Sequence, residues 1–287
     1  MFERIFTASV VVSISAMLIG SARADLVFYV PIENNSAEDI AGCMAPDPAA
    51  LGVVDASFSN DTPDALGAGQ SLVFSGPGQV VDFGNLPLLA GAESSTVSMW
   101  IKPLEISPDV DRRHYALSKD GVLEYGLRNG EITNRINNAD HAESVGLVAA
   151  LLDGWNHIAS VFSAEGDAGS GTIQHYLNGE PFGDPILLNG NPAPGANEGG
   201  LEYVGNDNPL ALGNRIGGDD KNFIGLIDDV AIWNVAFHDT NIELLADGFP
   251  PPEFYIHICV PEPTSGLLLV LGSFVLLPLM RRRRSRS

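Results

Sequence analysis

Two adjacent aspartates, Asp228 and Asp229, interrupt an otherwise apolar run near the end of the chain. The run Leu226–Trp233 has the composition of a β-strand, in which successive side chains point to opposite faces of a sheet. One of the two carboxylates must therefore point inward or toward a sheet edge. A buried carboxylate needs a partner or a metal ion, so this pair is the first candidate for chemistry.

The remaining carboxylates do not form a catalytic pattern. Glu33, Glu38 and Asp39 cluster in a loop-like stretch, and Glu124 and Glu131 flank a predicted hairpin with no third carboxylate in register. The sequence contains no nucleophile elbow, zinc-protease helix, P-loop or dinucleotide fingerprint. Its six histidines show no metal-ligand spacing. We therefore predict that the protein is not an enzyme.

The net charge excludes one large class of partners. The 287 residues carry a formal net charge of −21. Residues 1–24 contribute +1 and residues 264–287 contribute +5, so residues 25–263 carry −27 with only eight Lys and Arg residues. Because affinity for a phosphate backbone comes mainly from cationic side chains, we expect no binding to nucleic acid. Such a surface suits solubility and is able to hold cations.

The N-terminus has the features of a secretory signal peptide. Residues 1–24 carry an early basic residue and an apolar run from Ala8 to Ile19. Small residues in Ala22-Arg23-Ala24 fit cleavage before Asp25. We therefore expect the protein to be exported.

Export bears on the two cysteines, Cys43 and Cys259, because exported proteins meet conditions that permit disulfides. The two residues are able to pair if the chain ends meet in the fold. Their spacing alone does not establish a bond.

The C-terminal residues have the features of a targeting segment. An apolar run of fifteen residues, Gly266–Met280, is shorter than the roughly twenty residues that span a bilayer. Five arginines follow among the last seven residues, and arginine clusters hold a segment on the cytoplasmic side during export. The motif Pro261-Glu262-Pro263 precedes the run.

This order of motif, apolar helix and arginines resembles the PEP-CTERM sorting signal of bacterial proteins. The resemblance implies that an exosortase-type enzyme recognises Pro261, Glu262 and Pro263 while the tail holds the protein transiently at the inner membrane. Cleavage would then pass the protein to the cell surface or to extracellular polymer. A tail that stays in place as a plain membrane anchor is the alternative.

Residues 25–250 consist of short apolar runs separated by Gly, Pro, Asn and Asp, which predicts an all-β fold. Alternation is clear in Thr96–Lys102, where Val97, Met99 and Ile101 share one face. The predicted strands are Leu26–Val30, Ser71–Phe74, Gln79–Phe83, Thr96–Lys102, His114–Ser118, Val122–Leu127, Ile132–Ile136, Trp155–Phe162, Thr172–Leu177, Leu210–Leu212 and Leu226–Trp233.

Local signals add two hairpins and one helix. Asn129-Gly130 and Asn178-Gly179 predict type I′ turns, and thus hairpins over residues 122–136 and 172–183. A short helix is predicted near the end, with Thr240 and Glu243 as a capping box and Gly248 as its stop. His157, in the middle of a predicted strand, is interpreted as a structural histidine.

Three groups of motifs occur in order along the chain. They are Ser71–Gly76 with Ser95–Pro103, Gly154–Val161 with Tyr176–Gly179, and Leu210–Gly213 with Phe223–Trp233. Their order and spacing resemble the laminin-G-like, concanavalin A-like jelly-roll domains of bacterial surface proteins over roughly residues 26–247. The resemblance implies an all-β sandwich of two antiparallel sheets.

The predicted organisation follows from these assignments. Residues 1–24 form the signal peptide and residues 25–249 the laminin-G-like jelly-roll domain. Residues 250–259 form a proline-rich spacer, and residues 260–287 form the sorting signal with its hydrophobic helix.

The resemblance also implies a possible cofactor, because similar domains often hold one Ca²⁺ where the first and last strands meet. Asp39 matches the acidic-x-x-Gly pattern of such domains near the start, and Asp228 or Asp229 matches their Ile-Asp-Asp-Val near the end. Calcium takes six to eight oxygen ligands. The alternative is that Asp39 caps a turn and Asp229 hydrogen-bonds to a neighbouring strand.

Three functions are consistent with these observations. The first is a non-catalytic binding module for an extracellular glycan or surface protein, with Tyr203 in the long loop 189–205 as a candidate ligand contact. The second is an acidic structural matrix protein without a specific ligand. The third is a divergent glycoside hydrolase, although the Glu-x-Asp-x-x-Glu pattern of β-glucanases with this architecture is absent.

Overall fold

The structure is a computed structural model that describes part of the chain. The described residues are 26–37, 53–54, 56–106, 113–128, 131–136, 139–143, 154–164, 170–189, 203, 205–217 and 221–250. Asp39, Cys43, Cys259 and the motif Pro261–Pro263 lie outside the described residues, as do both predicted targeting segments.

Fifteen strands and one helix make up this part of the chain. The strands are β1 (Leu26–Val30), β2 (Val53–Val54), β3 (Ser57–Ser59), β4 (Ser71–Phe74), β5 (Val81–Asp82), β6 (Ser94–Pro103), β7 (Arg113–Lys119), β8 (Leu123–Arg128), β9 (Glu131–Ile136), β10 (Ala139–Glu143), β11 (Asn156–Ser163), β12 (Ser170–Leu177), β13 (Glu180–Asn189), β14 (Leu210–Leu212) and β15 (Gly225–Trp233); the helix is α1 (Asp239–Ala246). Each predicted strand overlaps an observed one. The strands β2, β3 and β10 were not predicted, and β13 was predicted only as the second arm of the hairpin over residues 172–183.

The strands form two antiparallel sheets, which confirms the all-β sandwich. The eight-stranded sheet has the order β13-β12-β11-β6-β15-β4-β3, and β1 pairs with β15 as well. The seven-stranded sheet has the order β10-β9-β8-β7-β14-β5-β2. Each sheet combines strands that are consecutive in the chain, β11–β13 in one and β7–β10 in the other, with strands that are distant in sequence, such as β6 beside β15.

Apolar side chains from the inner faces of the two sheets fill the core. The predicted alternation in β6 is confirmed, because Val97, Met99 and Ile101 are all fully buried in one cluster with side chains from both sheets. A second, smaller cluster lies outside the eight-stranded sheet, where Trp233 packs with Ile242 of α1. At about 25 cal/mol per Å² of apolar surface removed from water, these two clusters supply the main driving force for folding.

The helix differs from its prediction at the N-terminus. It begins at Asp239, and His238 occupies the cap position without a side-chain cap bond. The predicted cap at Thr240 is therefore wrong by two residues, since Thr240 already lies within the helix. The predicted stop is confirmed: Gly248 has φ +81°, and its amide donates to the Leu245 carbonyl.

The second predicted hairpin is confirmed by its turn geometry. Asn178 and Gly179, between β12 and β13, have φ values of 51° and 88°, as a type I′ turn requires. Glycine is needed at this position for a second reason. A Cβ on Gly179 would lie 3.2 Å from the Glu243 Cα, so the turn packs closely against α1.

Among the described residues, no helix is both long enough and apolar enough to span a bilayer.

Candidate functional site

A gap in the strand pairing along β15 creates the candidate site. On one side of β15, β4 pairs with its first residues, Gly225–Ile227, while β1 pairs with its later residues, Val230–Trp233. Asp228 and Asp229 fall between these two partners. The predicted aspartate pair therefore lies where the first and last strands meet, at a break in the sheet.

The backbone at this break is distorted. The pairing of β15 with β6 shifts register between Asp228 and Ala231, which is the signature of a β-bulge. Asp229 has φ +50°, a left-handed conformation that is uncommon for residues other than glycine. Backbone strain of this kind tends to collect at functional sites.

Hydrogen bonds hold the two carboxylates in place. The Tyr29 hydroxyl of β1 donates to Asp229 Oδ1 at 2.7 Å. The Asp229 amide donates to Asp228 Oδ1 at 2.9 Å, and the amide of Ile32 also donates to Asp228. The strand β1 and the segment that follows it thus supply one donor to each acidic residue.

The electrostatics disfavour two negative charges here. Burial and, next, the charge of Asp229 raise the pKa of Asp228 to about 8. Burial also raises the pKa of Asp229, to about 6, although the Tyr29 hydrogen bond acts in the opposite direction. No ion pair of the described residues includes either aspartate. The pair would be stabilised by a proton or by a bound cation.

The two aspartates open onto a cleft of about 190 Å³, defined here as the acidic cleft. Only 5% of the Asp228 surface is exposed, whereas Glu33 is exposed. The cleft is lined by Tyr29, Pro31, Ile32, Glu33, Thr62, Leu66, Gly67, Gly69, Asp228, Asp229, Gly248 and Pro250. It therefore has polar groups at its base and a third carboxylate in its lining.

Residues 75–243, more than half of the chain, match the model of Laminin_G_3, described as the concanavalin A-like lectin/glucanases superfamily. The chain belongs to the Laminin_G_3 family. The acidic cleft combines residues inside the matched region of this family with Tyr29 and Glu33 outside it. A search of curated proteins gives no significant match.

Solved structures share the Laminin_G_3 fold at low sequence identity. One is Domain 4 of AbnA, a GH43 extracellular arabinanase from Geobacillus stearothermophilus, in complex with arabinotriose; its TM-score is 0.52 at 18% identity, covering 78% of this chain and 99% of that chain. Another is the receptor binding domain of botulinum neurotoxin D, with a TM-score of 0.53 at 17% identity, covering 78% of this chain. A third is the binding domain of Paraclostridial Mosquitocidal Protein 1, with a TM-score of 0.52 at 15% identity and 77% coverage.

This chain spans 52% of each of the two toxin binding domains. At these identities the likenesses show the fold alone. They place the Laminin_G_3 domain among structures that include carbohydrate- and receptor-binding domains.

The fit of calcium to this Laminin_G_3 domain is partial. Asp228 and Asp229 offer carboxylate oxygens, which Ca²⁺ prefers, and neither forms an ion pair with another described residue. Within the described residues, no group of three or more His, Cys, Asp and Glu side chains is arranged to hold a metal. Further ligands would have to come from elsewhere, and the predicted third residue, Asp39, lies outside the described part.

The structure removes one predicted ligand contact. The Tyr203 side chain is only 1% exposed, packs edge-on against Phe162 and shares a 2.6 Å hydrogen bond with Ser95. A ring buried in this way has no free face for a sugar. The aromatic character of Tyr203 thus serves the core of the sandwich.

Tyr29 and Glu33 are the two titratable residues of the acidic cleft that the sequence did not single out as ligand contacts. The sequence feature that could have pointed to Tyr29 is its outward-facing position in the predicted strand Leu26–Val30. Its significance depends on Asp229, 200 positions away in sequence. His157 is confirmed as structural, because it is 1% exposed and hydrogen-bonds to Ser98 at 2.8 Å.

Proposed function

We propose that this protein is an exported, non-catalytic binding module that presents a cation-dependent site for a glycan or a surface protein. The observation that carries this proposal is the acidic cleft. It is open to solvent, has a strained backbone at Asp229 and holds two aspartates without an ion-pair partner in the described residues. Such a site is suited to binding a cation and, through it, a ligand.

Calcium is the proposed ion, with Asp228 and Asp229 as ligands and Asp39 as a further candidate. When bound, Ca²⁺ would neutralise the carboxylates and offer coordination positions to ligand hydroxyl or carbonyl oxygens. Tyr29 would orient Asp229 through its hydrogen bond. Glu33, in the cleft lining, would remain accessible to the ligand or to the ion.

The neighbouring folds support the choice of ligand class. The arabinanase domain is described in complex with arabinotriose, and the neurotoxin domain is described as receptor binding. By analogy, the ligand of this chain would be a saccharide or a surface receptor. Because one fold hosts many functions, the analogy supports the proposal but does not select the ligand.

The termini supply the proposed location. The signal peptide would direct export, and Pro261, Glu262 and Pro263 would present the tail to an exosortase-type enzyme at the inner membrane. The protein would then reach the cell surface or extracellular polymer. Replacing Pro261-Glu262-Pro263 by alanines in the producing cell should leave an uncleaved, membrane-associated protein, detectable by fractionation and mass spectrometry.

Thermal unfolding with calcium and with chelator tests the proposed site. A ligand that binds only the folded state at a hundredfold excess over its Kd adds about 2.7 kcal/mol to the free energy of unfolding. We expect the wild type to melt higher in calcium and Asp228→Asn to lose most of this increase. Asp184→Asn, an exposed carboxylate on β13, is the matched control and should respond to calcium like the wild type.

A glycan array in millimolar calcium then tests for a saccharide ligand. Binding that disappears in chelator and in Asp228→Asn would support the proposal. Equal melting temperatures in calcium and chelator would show that the folded protein does not bind calcium, and the ion would then have no place in the proposed function. A blank array together with no calcium response would instead favour the acidic structural matrix protein.

A further inference from the structure

One tryptophan of the chain differs from the other two in its exposure. The sequence contains three tryptophans. Trp100 and Trp233 are buried, with 7% and 0% of their surface exposed, whereas Trp155 is half-buried. An indole ring combines a large apolar surface with one polar N–H group, which suits it to ligand contacts as well as to a core. Trp155 keeps part of this surface accessible.

Trp155 lies next to Lys102 of β6. Asn156 begins β11 and is directly opposite Ile101, so extending this antiparallel register by one residue sets Trp155 opposite Lys102. Ile101 is a core residue, and its neighbour Lys102 therefore faces outward. One carboxylate holds both side chains: Trp155 Nε1 donates to Asp61 Oδ1 at 2.9 Å, and Lys102 Nζ donates to Asp61 Oδ2 at 2.7 Å. We call Asp61, Lys102 and Trp155 the tryptophan platform.

Asp61 is itself fixed by hydrogen bonds of its backbone. Its amide donates to the Ser59 hydroxyl at 3.0 Å, and its carbonyl accepts from the Ser71 hydroxyl at 2.7 Å. The hydrogen bonds from Lys102 and Trp155 hold the pKa of the Asp61 carboxyl below its ordinary value, so the carboxylate is ionised at neutral pH. The indole ring is thus oriented before any ligand arrives, which lowers the entropy cost of binding.

The tryptophan platform adjoins the acidic cleft. Trp100 of β6 is directly opposite Asp228, so Lys102, two residues further along β6, is a diagonal neighbour of Asp228 on the same face. Diagonal neighbours of this kind are about 7–8 Å apart. Thr62, which follows Asp61 in the chain, lines the cleft. A short oligosaccharide would reach from the platform to the cleft.

The chemistry of the platform matches a saccharide. The flat face of an indole ring packs against the C–H groups on one face of a sugar ring, and the contact removes apolar surface of both from water. A sugar hydroxyl both donates and accepts hydrogen bonds. The Lys102 ammonium has three N–H donors and the Asp61 carboxylate has about four acceptor positions, so hydroxyl groups beside the ring are able to bond in both directions.

The charges of the platform favour a neutral sugar over an acidic one. Lys102 and Asp61 balance each other as an ion pair at 2.7 Å, with side chains 27% and 44% exposed. The chain as a whole carries a net charge of −21, which disfavours an acidic polymer. A protein partner fits less well, because a standard interface buries about 800 Å² on each partner around an apolar centre, whereas the platform offers one ring beside an ion pair.

We propose that the tryptophan platform is a subsite for a neutral saccharide, with the Trp155 ring stacked on one sugar ring and the Lys102–Asp61 pair hydrogen-bonded to its hydroxyl groups. The inference rests on the binding role proposed above and gives that role a ligand class. Its residues lie outside the proposed cation site, so this subsite does not itself require calcium. An ion in the acidic cleft would contact a neighbouring sugar of the same oligosaccharide.

Affinity electrophoresis of the purified full chain, with chelator and near physiological salt, tests the subsite. Each native gel contains arabinan, mixed-linkage β-glucan or galactomannan as a neutral probe, or polygalacturonate as the acidic one. We expect retardation by at least one neutral polymer and none by polygalacturonate. The neutral polymer that retards the protein most is then used with the variants.

Matched variants assign the binding to the platform. Trp155→Ala should bind at least about tenfold more weakly, because tryptophans are enriched among the residues whose truncation costs the most binding energy. Trp155→Phe keeps a ring but loses the bond to Asp61, so we expect an intermediate affinity. Leu187→Ala, which removes a side chain that is 61% exposed on β13, is the control and should bind like the wild type. Thermal melts establish that each variant is folded.

Tryptophan fluorescence adds a measurement that a merely structural role of Trp155 would not affect. Because Trp100 and Trp233 are buried, acrylamide should quench chiefly the emission of Trp155. The neutral polymer that retards the wild type should protect this emission from quenching, and polygalacturonate should not. Unchanged quenching in the presence of a bound polymer would show that the sugar does not cover the ring.

Four results would overturn the inference. They are no retardation by any of the three neutral polymers, binding by folded Trp155→Ala equal to that of the wild type, unchanged quenching with a bound polymer, and self-association of the chain that Trp155→Ala abolishes. Calcium-dependent glycan binding that Asp228→Asn abolishes and Trp155→Ala leaves intact would preserve the proposed function without this subsite. Binding in chelator that Trp155→Ala abolishes and Asp228→Asn leaves intact would support the subsite and remove the cation from the proposed function.

Discussion

The acidic cleft and the outer face of β7–β9, where Glu124 and Arg135 lie, treat buried charge in opposite ways. In the cleft, Asp228 is buried beside Asp229, and the pKa values of both carboxyl groups are raised. On the outer face of β7–β9, the buried Glu124 is paired with Arg135 at 2.6 Å, and the Ser118 hydroxyl donates to it at 3.4 Å. One region leaves like charges together, and the other neutralises its carboxylate within the fold.

This difference predicts which solution conditions affect the stability of each region. The cleft is stabilised by something the described residues do not supply, either a proton or a cation. The Glu124 carboxylate is instead neutralised by Arg135 within the fold. We therefore expect the cleft to respond to pH and to divalent ions, and the Glu124–Arg135 pair to matter chiefly for the stability of the fold.

The largest expected effect is at the Glu124–Arg135 pair. Glu124→Gln should lower the free energy of unfolding by about 3 kcal/mol, because removing one partner of a buried ion pair leaves the other charge uncompensated. Urea denaturation at neutral pH measures this change. Lys102→Gln, which breaks the more exposed pair with Asp61, should cost less than about 1 kcal/mol. Equal losses in the two variants would mean that burial adds nothing to the Glu124 pair.

The same kind of substitution in the acidic cleft should act in the opposite direction. The folded pKa of Asp228, about 8, is above its ordinary value of 3.8, so the folded state holds this proton more tightly than the unfolded state does. The resulting stability is fully present below about pH 4 and is lost as the pH rises through about 8. Asp228→Asn removes the ionisable group, so in chelator at pH 8 it should raise the free energy of unfolding by about 2 kcal/mol.

Denaturation of Asp228→Asn and wild type between pH 5 and pH 8 checks this sign. The wild type should lose stability relative to the variant as the pH rises. A variant that is less stable than the wild type at pH 8 in chelator would show that the ionised carboxylate is well satisfied in the fold. Added calcium should reverse the order, because a bound cation favours the ionised wild type.

The sequence predicted the strands of these two regions more fully than it predicted the side-chain contacts within them. Alternation identified β6, and apolar runs identified β7, β8, β9 and β15, because these strands have an inner face in the core. The strand β13 was predicted only as far as residue 183, as the second arm of a hairpin, because Pro181, Gly183 and Pro185 interrupt its pattern. Such residues are tolerated in β13 because it is an edge strand.

The contents of the two regions depend on pairing that the sequence does not reveal. Asp228 and Asp229 were recognised locally, since two acids in an apolar strand are unfavourable wherever the strand lies. The contribution of Tyr29 follows only from the pairing of β1 with β15. In the same way, Glu124 and Arg135 look unrelated in sequence until the register of β8 with β9 sets them opposite each other.

A buried histidine provides a pH response of the opposite sign to that of the cleft. Burial lowers the pKa of His157 to about 3, from an ordinary value of 6.5, so the unfolded state binds this proton more readily. The contribution of neutral His157 to the free energy of unfolding is fully present above about pH 6.5. It is lost as the pH falls toward about 3, by at most about 1.4 kcal/mol per pH unit. His157→Gln should lose less stability than the wild type between pH 6 and pH 4. Parallel curves for the two proteins would mean that His157 does not contribute to acid unfolding.

The smallest expected effect comes from comparing two tyrosines, one in the acidic cleft and one elsewhere in the fold. Tyr29 donates to Asp229 at 2.7 Å in the acidic cleft, and Tyr176 donates to Asp239 at 2.7 Å at the start of α1. Each change to phenylalanine removes one hydrogen bond to a carboxylate and should cost about 1 kcal/mol in chelator. In saturating calcium the cost of Tyr29→Phe should change, because the ion then competes with the hydroxyl for Asp229, whereas the cost of Tyr176→Phe should stay constant. If calcium alters both costs equally or neither of them, the ion does not act through Asp229, and the cleft would then respond to protons only.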